Sequence, residues 1–229
     1  LMEYAAEKRF FVPVDKIPEQ VKNAFIAAED KNFYTHGGID YVGIVRALLG
    51  NIKNIGSGRR PAGASTITQQ VAKNMLLSSE LSYTRKIKEA ILATRIENAF
   101  SKDHILELYL NEIYLGNRSY GVAAAALNYF GKSLNELNIE EIAYLAALPK
   151  GPNNYHPKRK YEAAVGRRNW VLDRMSEEGY ISEEEAAAAK EKPLTTVERS
   201  GGFLKNAEYF SEEVRREIND DFGEEALYE

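Results

Sequence analysis

The feature that most constrains this chain is its punctuation: helix start and stop signals recur at helix-length intervals from residue 18 to residue 190. Pro18 suits the first turn of a helix over 18–30, with Val21, Ala24, Phe25 and Ala28 as its apolar face. Val42, Val45, Leu48, Leu49 and Ile52 fall at helical spacing over 41–52. Ser65 or Thr66 can cap a helix reaching about 77, Ser82 one over 83–100, and Ser101 one over 102–115 that Gly116 ends. "GVAAAALNYFG" predicts a helix closed by Gly131, and Asn138 with Glu141 forms a capping box for a helix that Pro149 stops. Further helices are expected over 161–179, over 183–190 behind Ser182 and Glu185, and over 207–219. Only "KRFFVPV" at 8–14 reads as extended, and no stretch alternates with the period of a sheet. The fold class is mainly α, without internal repeats.

Length and composition narrow the function. With 229 residues, 44% hydrophobic and 28% charged, the chain can bury a core of one generous domain or one domain plus a lobe. It has no cysteine, which removes disulfides and thiolate metal sites. The net charge of -4 hides an asymmetry: residues 51–95 hold eight basic residues against two acidic, a local balance of +6. A basic stretch on an acidic protein points to an anionic ligand or to a solvated face. No apolar run is long enough to span a bilayer and no signal peptide is visible, yet the chain begins and ends inside readable structure, so it is expected to be part of something longer.

Three clusters have the residue types for chemistry. Glu29 and Asp30 end a helix where the macrodipole disfavours acids, and Phe33, His36, Gly37 and Gly38 follow. The pattern can be a fraying helix end with a turn-bonded histidine, or a carboxylate whose pKa the neighbouring Phe25 and Phe33 raise into the range of a general acid or base; a metal trio with one histidine is poorly disposed. "GASTITQQVAKN" at 63–74 offers hydroxyls at a helix N-terminus, then Gln70, Lys73 and Asn74. That set can cradle an anion on free backbone N–H groups or be an ordinary cap, and it lacks the P-loop ending. Arg85 and Glu89 lie four apart on a stripe that continues through Leu92 and Ile96, so the pair either supports the helix or faces inward for a purpose.

Taken in order, "EDKNFYTHGG", "GASTITQQVAKN", "RKIKE", "KDHILELYLNEIYLG" and "RRNWVLDRM" resemble the five motifs of the peptidoglycan glycosyltransferase domain, family 51, of class A penicillin-binding proteins and monofunctional transglycosylases. The resemblance covers residues 8–175, with "YFGKSL" and "ALPKGPNNYHP" agreeing as well.

The resemblance implies a lysozyme-like helical head lobe with a small membrane-associated jaw lobe, here about 40–64. It implies a domain over 1–195 and, over 196–229, a linker toward a transpeptidase domain. The implied activity is polymerisation of lipid II, in which the 4-hydroxyl of the incoming sugar attacks the anomeric carbon of the lipid-diphosphate-linked chain with inversion. Glu29 would be the general base. Ser65, Thr66, Gln70, Lys73, Asn74 and Arg85 match positions lining the donor site, where the inhibitor moenomycin also binds. Glu89 matches a second glutamate that orients Arg85 or Lys73 or helps place a divalent cation such as Mg or Mn. Asp30, Phe33, His36, Tyr109 and Lys150 match positions at or behind the reaction centre. A bacterial inner-membrane location on the extracytoplasmic face follows, and no nucleic-acid partner is expected; the apolar 41–52 helix either packs into the core, the usual fate of such a stripe, or, as the resemblance implies and as is favoured here, dips into the bilayer.

Two departures from the family pattern stand out. Ala62-Gly63-Ala64-Ser65-Thr66 replaces the usual Gln-Gly-Gly-Ser-Thr, which puts a glycine conformation at 64 in doubt, and the loop before it is longer, with Gly56, Gly58, Arg59 and Arg60. Rival readings are a lysozyme-like hydrolase or lytic transglycosylase acting on finished glycan, and a non-catalytic glycan-binding module.

Overall fold

The computed structural model describes residues 8–53, 65–76 and 83–197. Expectations that fall elsewhere, namely the 54–64 loop, the cap at Ser82, the 207–219 helix and the linker from 198 onward, lie outside the described residues. Those described belong, up to Thr196, to one unit spanning Glu7–Thr196.

Nine helices carry the described fold, in the order the capping signals predict: α1 (Glu19–Glu29), α2 (Tyr41–Lys53), α3 (Ile67–Leu76), α4 (Tyr83–Ala99), α5 (Lys102–Glu112), α6 (Val122–Phe130), α7 (Ile139–Ala147), α8 (Tyr161–Glu177) and α9 (Glu183–Lys190). Strand content among the described residues is a two-residue parallel pair, β1 (Lys8–Arg9) with β2 (Ser119–Tyr120). Asn138 with Glu141 and Ser182 with Glu185 form reciprocal capping boxes, Ser101 accepts from the His104 amide, and Gly131 closes α6 in the left-handed conformation.

The core is built around two helices. Every residue of α7 from Ile142 to Ala147 is buried, which marks a helix surrounded on all sides. α1 packs against it and against α8, burying Val21, Ala24, Phe25, Ile26 and Ala27, while α3 packs on α4 and α5. Ala28 is partly buried against the same core.

α5 ends at Glu112, three residues before the expected Leu115. The chain there has a stronger alternative: Asn117 and Arg118 both take positive φ and the Ser119 amide donates to Gly116 O at 2.8 Å, a tight hairpin turn. Leu115 and Gly121 amides bond across that hairpin to Ser119 O and Ile113 O, so the Leu115 amide that would have continued the helix is used by the hairpin.

Side chains of the α5 motif hold the N-terminal segment. Asn111 accepts from the Val12 amide at 2.8 Å and donates to Val12 O at 2.9 Å, as a neighbouring strand would, and Glu107 accepts from the Val14 amide at 2.8 Å.

α2 is joined to the rest through its first turn. Asp40 accepts from the Gly43 amide at 2.8 Å and from Asn32 Nδ2 at 2.9 Å, and these donors hold its carboxyl below the usual range against the cost of burial. A Cβ on Gly43 would lie 2.5 Å from the Asp40 carboxylate, so a larger residue there would make the Asp40 side chain shift. No other element packs along α2 among the described residues, and Tyr41 (71% exposed), Val42, Val45, Leu48 and Leu49 form an exposed apolar stripe. None of the described helices is long and apolar enough to cross a membrane.

Arg168 on α8 is buried and donates to the backbone carbonyls of Lys190 at 3.0 Å and Lys192 at 2.6 Å, which docks the end of α9. Replacing it (Arg168→Leu) removes two charge-assisted bonds and strands two carbonyls; a loss of about 2–4 kcal/mol is expected in urea unfolding. A loss under about 0.5 kcal/mol would mean that α9 does not depend on this contact.

Candidate functional site

The carboxylates at the end of α1 divide their roles. Asp30, the C-cap, turns back to the next helix: its Oδ2 accepts from the Ile67 amide at 2.9 Å and from His36 Nε2 at 2.8 Å. His36 Nδ1 accepts from the Gly38 amide at 3.1 Å, which fixes the ring with Nε2–H as the donor to Asp30. Thr66 Oγ1 donates to Gly38 O at 2.7 Å and accepts from the Gln69 amide at 3.1 Å, while Gln69 Oε1 accepts from the Thr66 amide at 3.0 Å, a capping box on α3. Gly38 takes φ +93° with its Cα so close to α4 that a Cβ would sit 2.9 Å from Ala93 O. The glycine after His36 is thus what lets the turn lie against α4.

This arrangement corrects one expectation. The N-terminus of α3 does not offer a set of free N–H groups to an anion, because the Ile67 amide is taken by Asp30 and the Gln69 amide by Thr66. An internal carboxylate already satisfies the positive end of the helix.

Glu29 is left to face outward from the core. Its Oε2 accepts from Gln70 Nε2 at 2.9 Å. Burial pushes its pKa up from the ordinary carboxylate value, against the Gln70 bond and the attraction of Arg167 and Lys150, while Asp30 adds to the rise. Burial is the larger influence, so the carboxylate is poised to accept a proton. Tyr109 is fully buried beside these acids, edge-on to Phe25 at 6.2 Å; its hydroxyl has no hydrogen-bond partner among the described residues, and burial with the two nearby acids pushes its own pKa far up.

Helical periodicity lays out the next part. Gln70, Lys73 and Asn74 share one face of α3, and with Gln70 on Glu29, the exposed Lys73 and Asn74 come one turn further along, roughly 5 Å. Across from them Lys86 of α4 donates to Ser65 Oγ at 3.0 Å and pairs with Glu89, which is only 3% exposed. Arg85 lies half-buried on the same helix. Phe33 is fully buried, edge-on to His36 at 6.2 Å and under the Lys102 ammonium at 4.5 Å, so it supports the turn from behind. Lys102 also bonds Glu97, which accepts from Thr68, and so braces α3, α4 and α5 together.

Two cations at this site had no role in the sequence reading. Lys86 pairs with Glu89 from three residues before it; the i, i+3 spacing was the available signal. Arg167, in the fifth motif, reaches toward Glu29 from α8, and no periodicity in the sequence links positions so far apart. Glu29, Asp30, His36, Thr66 and Gln70 come together through hydrogen bonds of the α1–α3 junction, and Lys150 acts on Glu29 by its charge. No three His, Asp or Glu side chains converge among the described residues, and Glu89 already carries an ammonium, so the residues present do not form a divalent-cation site of their own.

Residues 1–176 match the model of the transglycosylase family. Penicillin-binding protein 1A of Rickettsia bellii is 52% identical over 94% of this chain, that of Aquifex aeolicus 52% over 95%, and that of Haemophilus influenzae 48% over 99%. The chain spans only 26–29% of the length of these relatives. The crystal structure of penicillin-binding protein 1A from Haemophilus influenzae superposes with a TM-score of 0.50 at 31% identity, over 96% of this chain and 22% of that one.

The raised proton affinity of Glu29 has a consequence for stability. At pH below its ordinary value of 4.5 both folded and unfolded chains hold the carboxyl neutral; as pH rises through the higher folded value, the folded chain must ionise a buried group and loses stability. Glu29→Gln should therefore equal the parent in acid buffer and exceed it in melting temperature at neutral pH. Equal melting temperatures in both buffers would show that the carboxylate is not buried at a cost.

Proposed function

From the premise that this chain belongs to the transglycosylase family, we propose that it is the peptidoglycan glycosyltransferase unit of a class A penicillin-binding protein, polymerising lipid II. The observation that carries this reading is the buried Glu29 carboxylate at the head of the α3 row of Gln70, Lys73 and Asn74. A base with raised proton affinity lies at one end, and cations for a diphosphate lie at the other.

In the proposed step, the 4-hydroxyl of the incoming lipid II is the nucleophile. Its oxygen bonds to the anomeric carbon of the growing chain while the carbon–oxygen bond to the lipid diphosphate breaks, with inversion; the hydroxyl proton passes to the Glu29 carboxylate and the electron pair leaves on the diphosphate. Gln70 orients Glu29 through the free edge of its amide. Lys73, Asn74, Ser65 and Arg85 take the charge that develops on the leaving group, where fixed donors and cations act most strongly. Lys86 and Glu89 hold the α3–α4 junction on which these donors depend.

The exposed apolar stripe of α2 is proposed to meet the bilayer that supplies the polyprenyl tails, which puts the unit on the extracytoplasmic face of the inner membrane. Residues 1–195 are proposed as the catalytic domain, about 40–64 as its jaw, and 196–229 as the link to a transpeptidase domain in the full protein.

Incubation with labelled lipid II, with and without moenomycin, tests the reading. Glu29→Gln should abolish glycan strands while leaving moenomycin bound; strands made by that variant would remove Glu29 as the base. Lys73→Ala and Arg85→Ala should weaken moenomycin by ~1.5–3 kcal/mol each, about tenfold to a hundredfold in Kd. Digestion of finished sacculi in the absence of lipid II would instead favour a hydrolase.

A further inference from the structure

The two adjacent arginines of "RRNWVLDRM" are used in opposite ways. Arg168 is buried and spends its donors on Lys190 O, Lys192 O and Asn169 Oδ1. Arg167 is half-buried, its Nε has no hydrogen-bond partner, and its guanidinium lies 3.6 Å from the centre of the Trp170 ring, three residues on along α8. A stack of this kind occupies the flat face of the guanidinium and leaves its edge donors unspent. Trp170 remains 38% exposed, with the arginine over one face of its ring.

We propose that Trp170 is a positioning residue for the reaction: by stacking on Arg167 it holds the guanidinium toward the end of α1, where Arg167 keeps the Glu29 carboxylate aimed and available to accept a proton. α8 packs directly on α1, the helix that Glu29 ends. Their charges act on each other, yet no contact ion pair joins them among the described residues. For each of them burial outweighs the attraction, raising the proton affinity of Glu29 and lowering that of Arg167. That is the useful intermediate. A guanidinium in contact would pull the proton affinity of the base down, and one released to solvent would let burial raise it further. The ring restrains Arg167 between those extremes. The other groups facing Glu29 are Asp30 beside it, Gln70 from α3, Tyr109 from α5 and Lys150 after α7; Tyr155 faces Arg167. Among these, Arg167 is the one held by a stacked aromatic.

This inference rests on Glu29 being the base, and its test separates the two. The readout is the acid limb of kcat/KM against pH for lipid II polymerisation by the whole chain. Removing the cation favours protonated Glu29, so Arg167→Gln should move the limb to higher pH, with the activity lost in acidic buffer recovering as pH is raised. Trp170→Leu should move it in the same direction with KM little changed, and Trp170→Phe, which restores a ring, should return it toward the parent. Should Trp170→Leu fold poorly, Arg167→Lys reads the same point, since it keeps the charge and loses the flat face. A parental limb in Arg167→Gln, or in both Trp170→Leu and Arg167→Lys, overturns the proposal. Loss of turnover in Glu29→Gln combined with an unmoved limb refutes the clamp alone, whereas turnover surviving in Glu29→Gln refutes the base itself.

Discussion

One hydrogen-bonded carboxylate organises this molecule. Asp30 ends α1 and at the same time caps α3 by accepting from the Ile67 amide, so residues 37 apart in sequence are fixed within one bond of each other. The same carboxylate receives His36, and through Gly38 and Thr66 the turn closes back on the α3 cap. With both of its oxygens committed, Asp30 is structural. Its neighbour Glu29 meets α3 three residues further on, at the Gln70 side-chain amide. Adjacent acids can take opposite roles because consecutive residues at a helix end project in different directions.

The position of Glu29 explains its chemistry without any special device. α1 is a central helix, so its last residue emerges at the margin of a closely packed core and loses part of its hydration. Gln70, Arg167 and Lys150 stabilise the charge, but none replaces the lost water fully. The outcome is a carboxylate shifted toward neutrality and still accessible to partners, which is the compromise a general base requires.

Much of this was legible in the sequence, and the reasons differ by element. Helix positions followed from caps such as Asn138–Glu141 and Ser182–Glu185, because capping is local chemistry that tertiary packing seldom overrides. Glu29 was legible because two acids at a helix C-terminus contradict the dipole and so call for another cause. The free amides expected at the start of α3 were not there, since the group that consumes them, Asp30, lies in a separate motif and only the fold brings it across. Arg167 was missed for the same reason, as was the part of Asn111, whose amide serves as a strand partner for Val12. The early end of α5 followed from a turn of two left-handed residues, Asn117 and Arg118, that ordinary propensity would not place there.

The attachment of α2 has a mechanical meaning. A helix of 13 residues is a rod roughly 20 Å long, and this one is pinned at its first turn by Asp40 to Asn32 and Gly43. Asn32 belongs to the same short turn that carries His36, so any load on the far end of the rod is delivered as torque to the segment that seats Asp30. Among the described residues, the far end of the rod and the acid pair are thereby linked through this hinge at Asn32 and Asp40.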